Sequence, residues 1–346
     1  MKNKSSLTVI FILIALCSVS YYLYKNKTSG STLNKDSSNF KVEDTASITK
    51  IFMADKNGKR ITLEKGKICW MINGKYPARQ DAINLLIYTM RTLDIKSPVT
   101  KAGKDNVIKL MSGKSVKVEI YSEGDLIKQY YVGHENQDND ATFMLLTNLD
   151  SGENYDDPFL MHIPGFTGYL SSRYFLDEAE WRSRLIINYI PPQMRSIKIE
   201  NAAVSDSSFV INLKNTNSFE LKSLKGQPIP FDEMKMKQYL AYFQNINFEK
   251  LLTTVNLRLV DSLKNAIPFL RMSITDTKGE TRVFSFLQKY STIDINRKYD
   301  TKYTYDPDRF YMRYDNDKEV ALVQYYVFGK MLPNYSYFLP QNTVKK

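Results

Sequence analysis

The chain offers few side chains for nucleophilic or metal chemistry. Its 346 residues include two cysteines and two histidines, too few for a disulfide framework, a zinc ribbon or a histidine-rich metal centre. Cys69 is the only thiol outside an apolar N-terminal run, and a nucleophilic thiolate would need a histidine and an electropositive setting that its neighbours do not supply. His162 lies in an apolar strand pattern before a Pro-Gly turn, where a structural role is favoured over that of a general base. His134 is expected on a polar loop.

Carboxylates are the remaining candidates for catalysis. Asp138 with Asp140, and Asp306 with Asp308, lie in polar turns at matching places before predicted strands, and paired carboxylates can hydrolyse glycosidic bonds. Such loops, with the segment Asp315 to Glu319, could also bind calcium, but the glycine and distal glutamate of a helix-loop-helix site are missing. Solvated hairpin tips are the favoured interpretation. The sequence thus designates no catalytic, cofactor-binding or metal-ligating residue, and we expect no enzyme.

Tyrosine is unusually abundant, with 24 residues in the chain. On strands, these side chains fit a half-exposed sheet surface. An exposed set could instead stack on sugar rings or form a protein interface. Trp70, in contrast, is expected to be a core anchor, ahead of a tight turn at Asn73-Gly74. The C-terminal tyrosine cluster comprises Tyr303, Tyr305, Tyr311, Tyr314, Tyr325, Tyr326, Tyr335 and Tyr337.

The elements that position these residues follow an N-terminal apolar segment. Residues 7–24 (Leu7 to Tyr24) carry no charge and are flanked by lysines, which predicts a transmembrane helix. Cleavage at Ser18-Val19-Ser20 or lipidation at Cys17 are weaker alternatives, because both sites are poor. We therefore expect a cytoplasmic tail over 1–6, a retained anchor over 7–24 and a polar linker over 25–44. The larger part of the chain would then lie outside the cytoplasmic membrane, on the periplasmic side.

The charge distribution argues against nucleic acid as a partner. The formal net charge is +11, but five lysines stand among the first 35 residues without an acid, where they would favour anionic lipid. Acidic and basic residues are interleaved in the rest of the chain. No basic stripe is present that would follow a phosphate backbone.

Two segments with the same helical periodicity indicate an internal repeat. One amphipathic helix is predicted over Ala78 to Ile95 and a second from about Phe231, and each is flanked by strands in the same order. A hairpin follows each helix, with turns at Gly124 and Gly279. The matching apolar positions are Ile83, Leu86, Ile87, Met90 and Leu93 in the first helix and Met236, Tyr239, Leu240, Phe243 and Ile246 in the second.

The repeat predicts an α+β protein with two tandem, duplicated domains, each an antiparallel sheet plus a helix. Alternating apolar and polar residues, as in Val116 to Ile120, indicate strands with one wet face. The predicted domains span 45–186 and 190–340, with the boundary near Pro191-Pro192 because consecutive prolines interrupt helix and strand alike.

Most of the chain from Val42 to Phe248 also resembles a known family. The run Val42 to Phe52, then Trp70 to Tyr76, Val118 to Tyr121 and Met161 to Phe166 are similar to bacterial membrane-anchored proteins built on a domain of unknown function. Some relatives adjoin auxiliary components of gliding-motility-type ABC transporters. The resemblance implies an exported domain in the cell envelope and supplies no catalytic residues.

Two functional hypotheses follow from the sequence. The first is an anchored, non-catalytic binding or scaffold protein of an envelope complex, such as a transporter accessory, with a protein partner, the membrane as a second contact and no cofactor. The second is an exported hydrolase of an envelope polymer that uses Asp138 and Asp140 or Asp306 and Asp308. Carboxylates facing a cleft, one with a raised pKa, would favour the hydrolase.

Overall fold

The chain contains two compact units. The structure, a computed structural model, describes residues 14–22, 35–202, 204, 207–215, 218–253 and 256–340. It divides the chain into Met1–Asp177 and Glu178–Lys346, which we call the N-terminal and C-terminal units. Each combines a large antiparallel sheet with helices, so the predicted α+β class is confirmed.

The N-terminal unit is organised around one nine-stranded antiparallel sheet. Its helices are α1 (residues 14–22), α2 (Lys35–Ser38), α3 (Gln80–Thr92) and α4 (Lys101–Gly113). Its strands are β1 (Ile48–Asp55), β2 (Arg60–Lys65), β3 (Trp70–Ile72), β4 (Tyr76–Pro77), β5 (Asp94–Pro98), β6 (Val116–Ser122), β7 (Asp125–Glu135), β8 (Thr142–Leu146) and β9 (Phe159–His162). They lie in the order β4-β3-β2-β1-β6-β7-β8-β9-β5.

Adjacent residues of the N-terminal sheet face opposite sides. Tyr130 is fully buried, whereas the next residue, Tyr131, packs with Met111 of α4. Helix α3 buries Ile83 and Leu86 on one helical stripe. Trp70 is buried, which confirms its predicted role as a core anchor. At the predicted tight turn, Asn73 and Gly74 both have positive φ angles, 51° and 66°.

The segment before β1 packs onto the N-terminal unit. The predicted linker, 25–44, is described from residue 35 onward. There Phe40 is 1% exposed, and its ring lies 5.9 Å from that of Phe159 and 6.2 Å from that of Tyr130. The Val42 N–H donates to the Met90 carbonyl at the end of α3. The polar composition of this segment concealed two apolar side chains, Phe40 and Val42, that attach it to the core.

The C-terminal unit has an eight-stranded antiparallel sheet and a separate pair of short strands. Its helices are α5 (Glu178–Trp181), α6 (Glu233–Leu240), α7 (Leu257–Asn265), α8 (Ile293–Tyr299) and α9 (Tyr325–Phe328). Its strands are β10 (Leu185–Ile187), β11 (Met194–Asn201), β12 (Phe209–Asn215), β13 (Ser218–Ser223), β14 (Ile246–Asn247), β15 (Lys250–Leu251), β16 (Leu270–Asp276), β17 (Thr281–Leu287), β18 (Arg309–Tyr314) and β19 (Glu319–Gln324). The large sheet has the order β13-β12-β11-β16-β17-β18-β19-β15, and β10 pairs with β14.

Helices cover both faces of the C-terminal sheet. On one face, Met236 and Leu240 of α6 join the main core with strand residues such as Ile197 and Phe284. On the other, Val260 and Leu263 of α7 pack with other apolar residues from the sheet. The buried Arg313 guanidinium donates to the carbonyls of Leu263 and Lys264 in the last turn of α7. These bonds satisfy carbonyls that a helix end leaves without intrahelical partners.

The two large sheets share one strand order. Apart from the edge strand β4, each position of the N-terminal sheet has a counterpart in the C-terminal sheet at the same step along the chain. The β1–β6 ladder shifts register between Ile48 and Lys50, and the β11–β16 ladder shifts between Met194 and Ser196. The two units thus have the same topology and the same irregularity at the corresponding place.

The two predicted repeat helices are shorter than the periodicity suggested. Helix α3 covers Gln80–Thr92, because Leu93 leaves the helical region and Asp94–Pro98 pairs with β9 instead. Helix α6 covers Glu233–Leu240 and continues as a 3₁₀ turn, Ala241–Phe243. Of the ten matching apolar positions, Ile87 is half-buried and the others are buried.

The predicted anchor lies partly outside the described residues. Of residues 7–24, the structure describes 14–22, which form α1 with exposed side chains. The rest of the anchor, the tail over 1–6 and the linker up to residue 34 are not among the described residues. Within the described ranges, no helix combines the length and the apolar character needed to cross a membrane.

Candidate functional site

A tyrosine-lined cleft in the C-terminal unit is the candidate site. It is open, encloses about 320 Å³ and lies where the loop before β18 meets the end of β19. This volume is within the range of small-molecule sites. We call it the tyrosine cleft, defined by Lys298, Pro307, Asp308, Arg309, Gln324, Tyr325 and Tyr326.

Asp306 fixes the loop that forms one wall of the tyrosine cleft. Its carboxylate is fully buried and lies 2.6 Å from the Lys289 ammonium. It also accepts the backbone N–H groups of Asp308 (2.9 Å) and Arg309 (3.1 Å). A buried carboxylate requires such partners, since an unpaired charge would be costly in the interior. Asp306 therefore acts as a structural residue that holds the loop in place.

Asp308 projects into the cleft and is paired there. Its carboxylate accepts the Tyr299 hydroxyl at 2.6 Å and lies 3.0 Å from the Lys298 ammonium. The Tyr299 hydrogen bond and the Lys298 contact lower the pKa of Asp308. The pKa of Lys298 is raised by its contacts with Tyr299 and, next, with Asp308. Asp308 thus remains an anion at neutral pH, which does not suit a general acid.

Arg309 is paired on the other side of the same loop. Its Nε donates to both carboxylate oxygens of Glu249, at 2.7 and 3.0 Å, and the Gln324 amide donates to the same carboxylate at 2.9 Å. Burial opposes ionisation of Glu249, but the hydrogen bonds from Arg309 and Gln324 outweigh it and lower its pKa. The charged side chains that line the tyrosine cleft therefore have neutralising partners of their own.

Exposed tyrosine rings lie in the cleft lining and in other segments of the same unit. Tyr326 is 84% exposed and Tyr290 is 72% exposed. The Tyr290 ring lies 5.3 Å from that of Tyr305, and the Tyr299 ring lies 6.0 Å from that of Tyr303. Together they give the C-terminal unit a set of aromatic faces that water can reach.

The C-terminal tyrosine cluster lies only partly on strands. Tyr311 and Tyr314 lie on β18, whereas Tyr325 and Tyr326 lie in α9. The others stand in loops or in the 3₁₀ helix Tyr335–Phe338. The Tyr325-Tyr326 pair lies outside the sheet because strand β19 ends at Gln324.

The second pair of candidate acids, in the N-terminal unit, is divided between two environments. Asp138 is exposed, whereas Asp140 is half-buried and forms an ion pair with Lys96. The Lys96 contact, followed by a hydrogen bond from Asn136, lowers the pKa of Asp140. The shift of the Asp140 pKa is thus opposite in direction to the one that would favour the hydrolase.

The Asp315–Glu319 segment forms the β18–β19 turn, as predicted. Asp315, Asn316 and Asp317 all have positive φ angles between 52° and 63°, a conformation that Asn and Asp tolerate better than most residues. Glu319 lies 3.0 Å from Arg182 and accepts the Thr253 hydroxyl at 2.6 Å. These contacts are those of a structural turn.

Cys69, His134 and His162 are not among the residues that line the tyrosine cleft. Cys69 Sγ is 3.9 Å from the Met71 sulfur. His162 is half-buried at the end of β9, opposite Asp94 in the register. The prediction that His134 occupies a polar loop is wrong: it lies within β7, and its ring is 4.9 Å from that of Phe143. The sheet extends through Glu135 despite the polar composition of this segment.

Several residues of the tyrosine cleft were not found from the sequence. Three lining residues, Lys298, Arg309 and Gln324, come from separate elements, and no local spacing connects them. The same holds for Glu249, which pairs with Arg309 and Gln324. The sequence did single out the pair Asp306 and Asp308, and this pair lies in the loop that forms one wall of the cleft. In the part of the chain that the structure describes, no group of three or more His, Cys, Asp or Glu side chains is placed to hold a metal ion.

Comparison with known proteins yields no match. No family model fits the chain, and neither the curated proteins nor the solved structures include one that is significantly similar to it.

Proposed function

We propose that this protein is a membrane-anchored, extracytoplasmic protein that binds a partner in the cell envelope without catalysing a reaction, for example as the accessory subunit of a transporter. The observation that supports this most is the state of the candidate acids. Asp140 and Asp308 have lowered pKa values, and Asp306 is enclosed by Lys289 and backbone N–H groups. Exposed tyrosine faces are suited to binding.

The hydrolase alternative requires a different arrangement. One carboxyl group must carry a proton near neutrality while the other is ionised and free to act. Asp306 would have to leave Lys289, and Asp308 would have to leave both Tyr299 and Lys298. These contacts favour the binding function over hydrolysis.

Anchoring is proposed from the sequence of α1 and its surface. Ile14, Leu16 and Val19 are each more than half exposed, and burial of such side chains in a lipid phase is favourable. The lysines on either side of the uncharged run fit the same placement.

We also propose that the two units are copies of one ancestral domain. The shared strand order and the matching register shift support this. A further parallel is found in the segment that precedes the first strand of each large sheet. In the N-terminal unit the Val42 N–H donates to the Met90 carbonyl, and in the C-terminal unit the Tyr189 N–H donates to the Phe243 carbonyl. Met90 and Phe243 are the residues that the sequence repeat pairs with each other.

The proposed function is tested by comparing two kinds of variant in cells. After in-cell crosslinking and affinity purification, we expect the double variant Tyr290→Ala/Tyr326→Ala to recover much less of its complex than the wild type. Asp140→Asn should recover a normal amount, and Tyr169→Ala, an exposed tyrosine of the N-terminal unit, is the matched control. Normal recovery by the double variant, with loss of function in a stable Asp140→Asn protein, would contradict the proposal.

A further inference from the structure

The charges of the tyrosine cleft are balanced within the protein. Lys298 is paired with Asp308, and Arg309 is paired with Glu249. An ionic ligand would have to compete with one of these pairs and would leave its partner uncompensated. A neutral ligand has no such cost, because an ammonium and a carboxylate that already interact can still donate to and accept from hydroxyl groups.

The aromatic rings provide the complementary apolar surface. Tyr326 and Tyr290 expose most of their area to water, and each combines an apolar face with a polar edge. Axial C–H groups give a pyranose ring a flat apolar face of similar size, while its hydroxyls project from the rim. A sugar ring can therefore stack on a tyrosine and hydrogen-bond to the charged pairs beside it.

We propose that the tyrosine cleft binds a neutral polysaccharide, with a sugar ring stacked on Tyr326 and hydroxyls bonded to Asp308 and Lys298. This inference rests on the proposed function and assigns a ligand class to the same surface. The concave shape and the volume of about 320 Å³ suit one or two sugar rings better than a flat protein surface.

The test uses the full-length protein in detergent and a panel of hexasaccharides. Calorimetry is carried out with maltohexaose, cellohexaose, xylohexaose and mannohexaose as neutral probes, and with hexagalacturonate as the anionic probe. We expect at least one neutral hexasaccharide to bind with a dissociation constant below 1 millimolar, roughly the weak end of specific binding. We expect that constant to change less than about twofold between low and high salt, since no net charge is exchanged.

Three variants locate the binding surface. Tyr326→Ala should weaken binding at least about tenfold, which corresponds to the loss of one good stacking contact. Tyr326→Phe keeps the ring face and should stay within about threefold of the wild type. Tyr169→Ala is the control and should bind normally. These side chains are exposed, and an unchanged melting temperature verifies that each variant is folded.

The inference is overturned if no neutral hexasaccharide binds at 10 millimolar, if hexagalacturonate binds more tightly than every neutral probe, or if Tyr326→Phe loses as much affinity as Tyr326→Ala. Its failure is distinguishable from that of the proposed function. If the hexasaccharides do not bind while Tyr290→Ala/Tyr326→Ala still reduces crosslinked complex in cells, the surface binds a protein and only the polysaccharide assignment is wrong.

Discussion

Asp308 illustrates how contacts at a single residue separate binding from catalysis. Its carboxylate is held by a tyrosine hydroxyl and an ammonium group, which stabilise the anion. A general acid needs the opposite environment, one that raises the pKa by burial or by a neighbouring anion. The contacts of Asp308 therefore favour a binding role over a general-acid role.

The pH dependence of Asp308 follows from the direction of its pKa shift. The folded pKa lies below the unfolded value of about 3.9 because of Tyr299 and Lys298. The stabilisation is thus fully present above about pH 4 and is lost as pH falls through the folded pKa. In a carbon-13 NMR titration, Tyr299→Phe should move the pKa of Asp308 upward toward its ordinary value. Tyr303→Phe is the control, and identical titrations in wild type and Tyr299→Phe would contradict the assignment.

Phe40 joins the segment before β1 to the N-terminal unit. Because the ring is buried against Tyr130 and Phe159, Phe40→Ala should lower the free energy of unfolding by about 3–5 kcal/mol. Lys41→Ala alters the exposed neighbour and should change it by less than about 0.5 kcal/mol. Denaturant unfolding measures both. A loss below about 1 kcal/mol for Phe40→Ala would show that this segment is only a tether.

At the scale of elements, each unit packs the apolar stripe of one helix against its sheet and has a second helix on the opposite face of that sheet. The corresponding second helices, α4 and α7, differ in how the sheet meets them. Leu145 of β8 packs against α4 through apolar contact, whereas Arg313 of β18 bonds to the end of α7. The same topology thus accommodates an apolar contact in one unit and a polar one in the other.

The two repeat helices give a matched stability test. Leu86 and Leu240 are both buried on the apolar faces of α3 and α6, so Leu86→Ala and Leu240→Ala should each cost about 2–5 kcal/mol. Leu85→Ala and Met234→Ala, on the exposed faces of the same helices, should each cost less than about 1 kcal/mol. Thermal and denaturant unfolding provide the comparison. A negligible effect of either buried substitution would show that the two helices are not equivalent.

Local patterns predicted the elements better than they predicted their ends. The hairpins at Gly124 and Gly279 and both amphipathic helices follow from periodicity in adjacent residues. The end of α3 does not, because Asp94–Pro98 becomes a strand only through pairing with β9, which lies more than sixty residues away. The tyrosine cleft likewise forms only through contacts between residues that are distant in sequence. Glu249, Lys298 and Gln324 are distant in sequence, so their convergence depends on the sheet.

At the scale of the whole molecule, we propose that an N-terminal anchor precedes two units of one topology. In this proposal the N-terminal run inserts into lipid, and the tyrosine cleft of the C-terminal unit binds the partner. A duplicated domain can keep its fold in both copies while one copy acquires a binding surface. This is consistent with the tyrosine cleft, since Tyr325 and Tyr326 follow β19 where Ile163 and Pro164 follow β9.

The proposed N-terminal anchor predicts how the protein fractionates and which part of it a protease can reach. In intact spheroplasts, added protease should digest the part of the chain after Lys25, and carbonate washing should leave full-length protein in the membrane fraction, because an apolar helix is not released by high pH. Cytoplasmic marker proteins that survive the protease are the control. Soluble protein that begins near Tyr21 would instead demonstrate cleavage of the N-terminal run.

Site-specific photocrosslinking at Tyr326 tests the central claim most directly. Benzoylphenylalanine placed at position 326 in full-length protein reacts in living cells with whatever lies against the tyrosine cleft. We expect a covalent adduct at position 326 and none at position 224, where Leu224 is exposed in another part of the same unit. The adduct should persist in an Asp140→Asn background. Equal labelling at both positions, or no adduct at position 326, would contradict the account that this surface is where the protein binds.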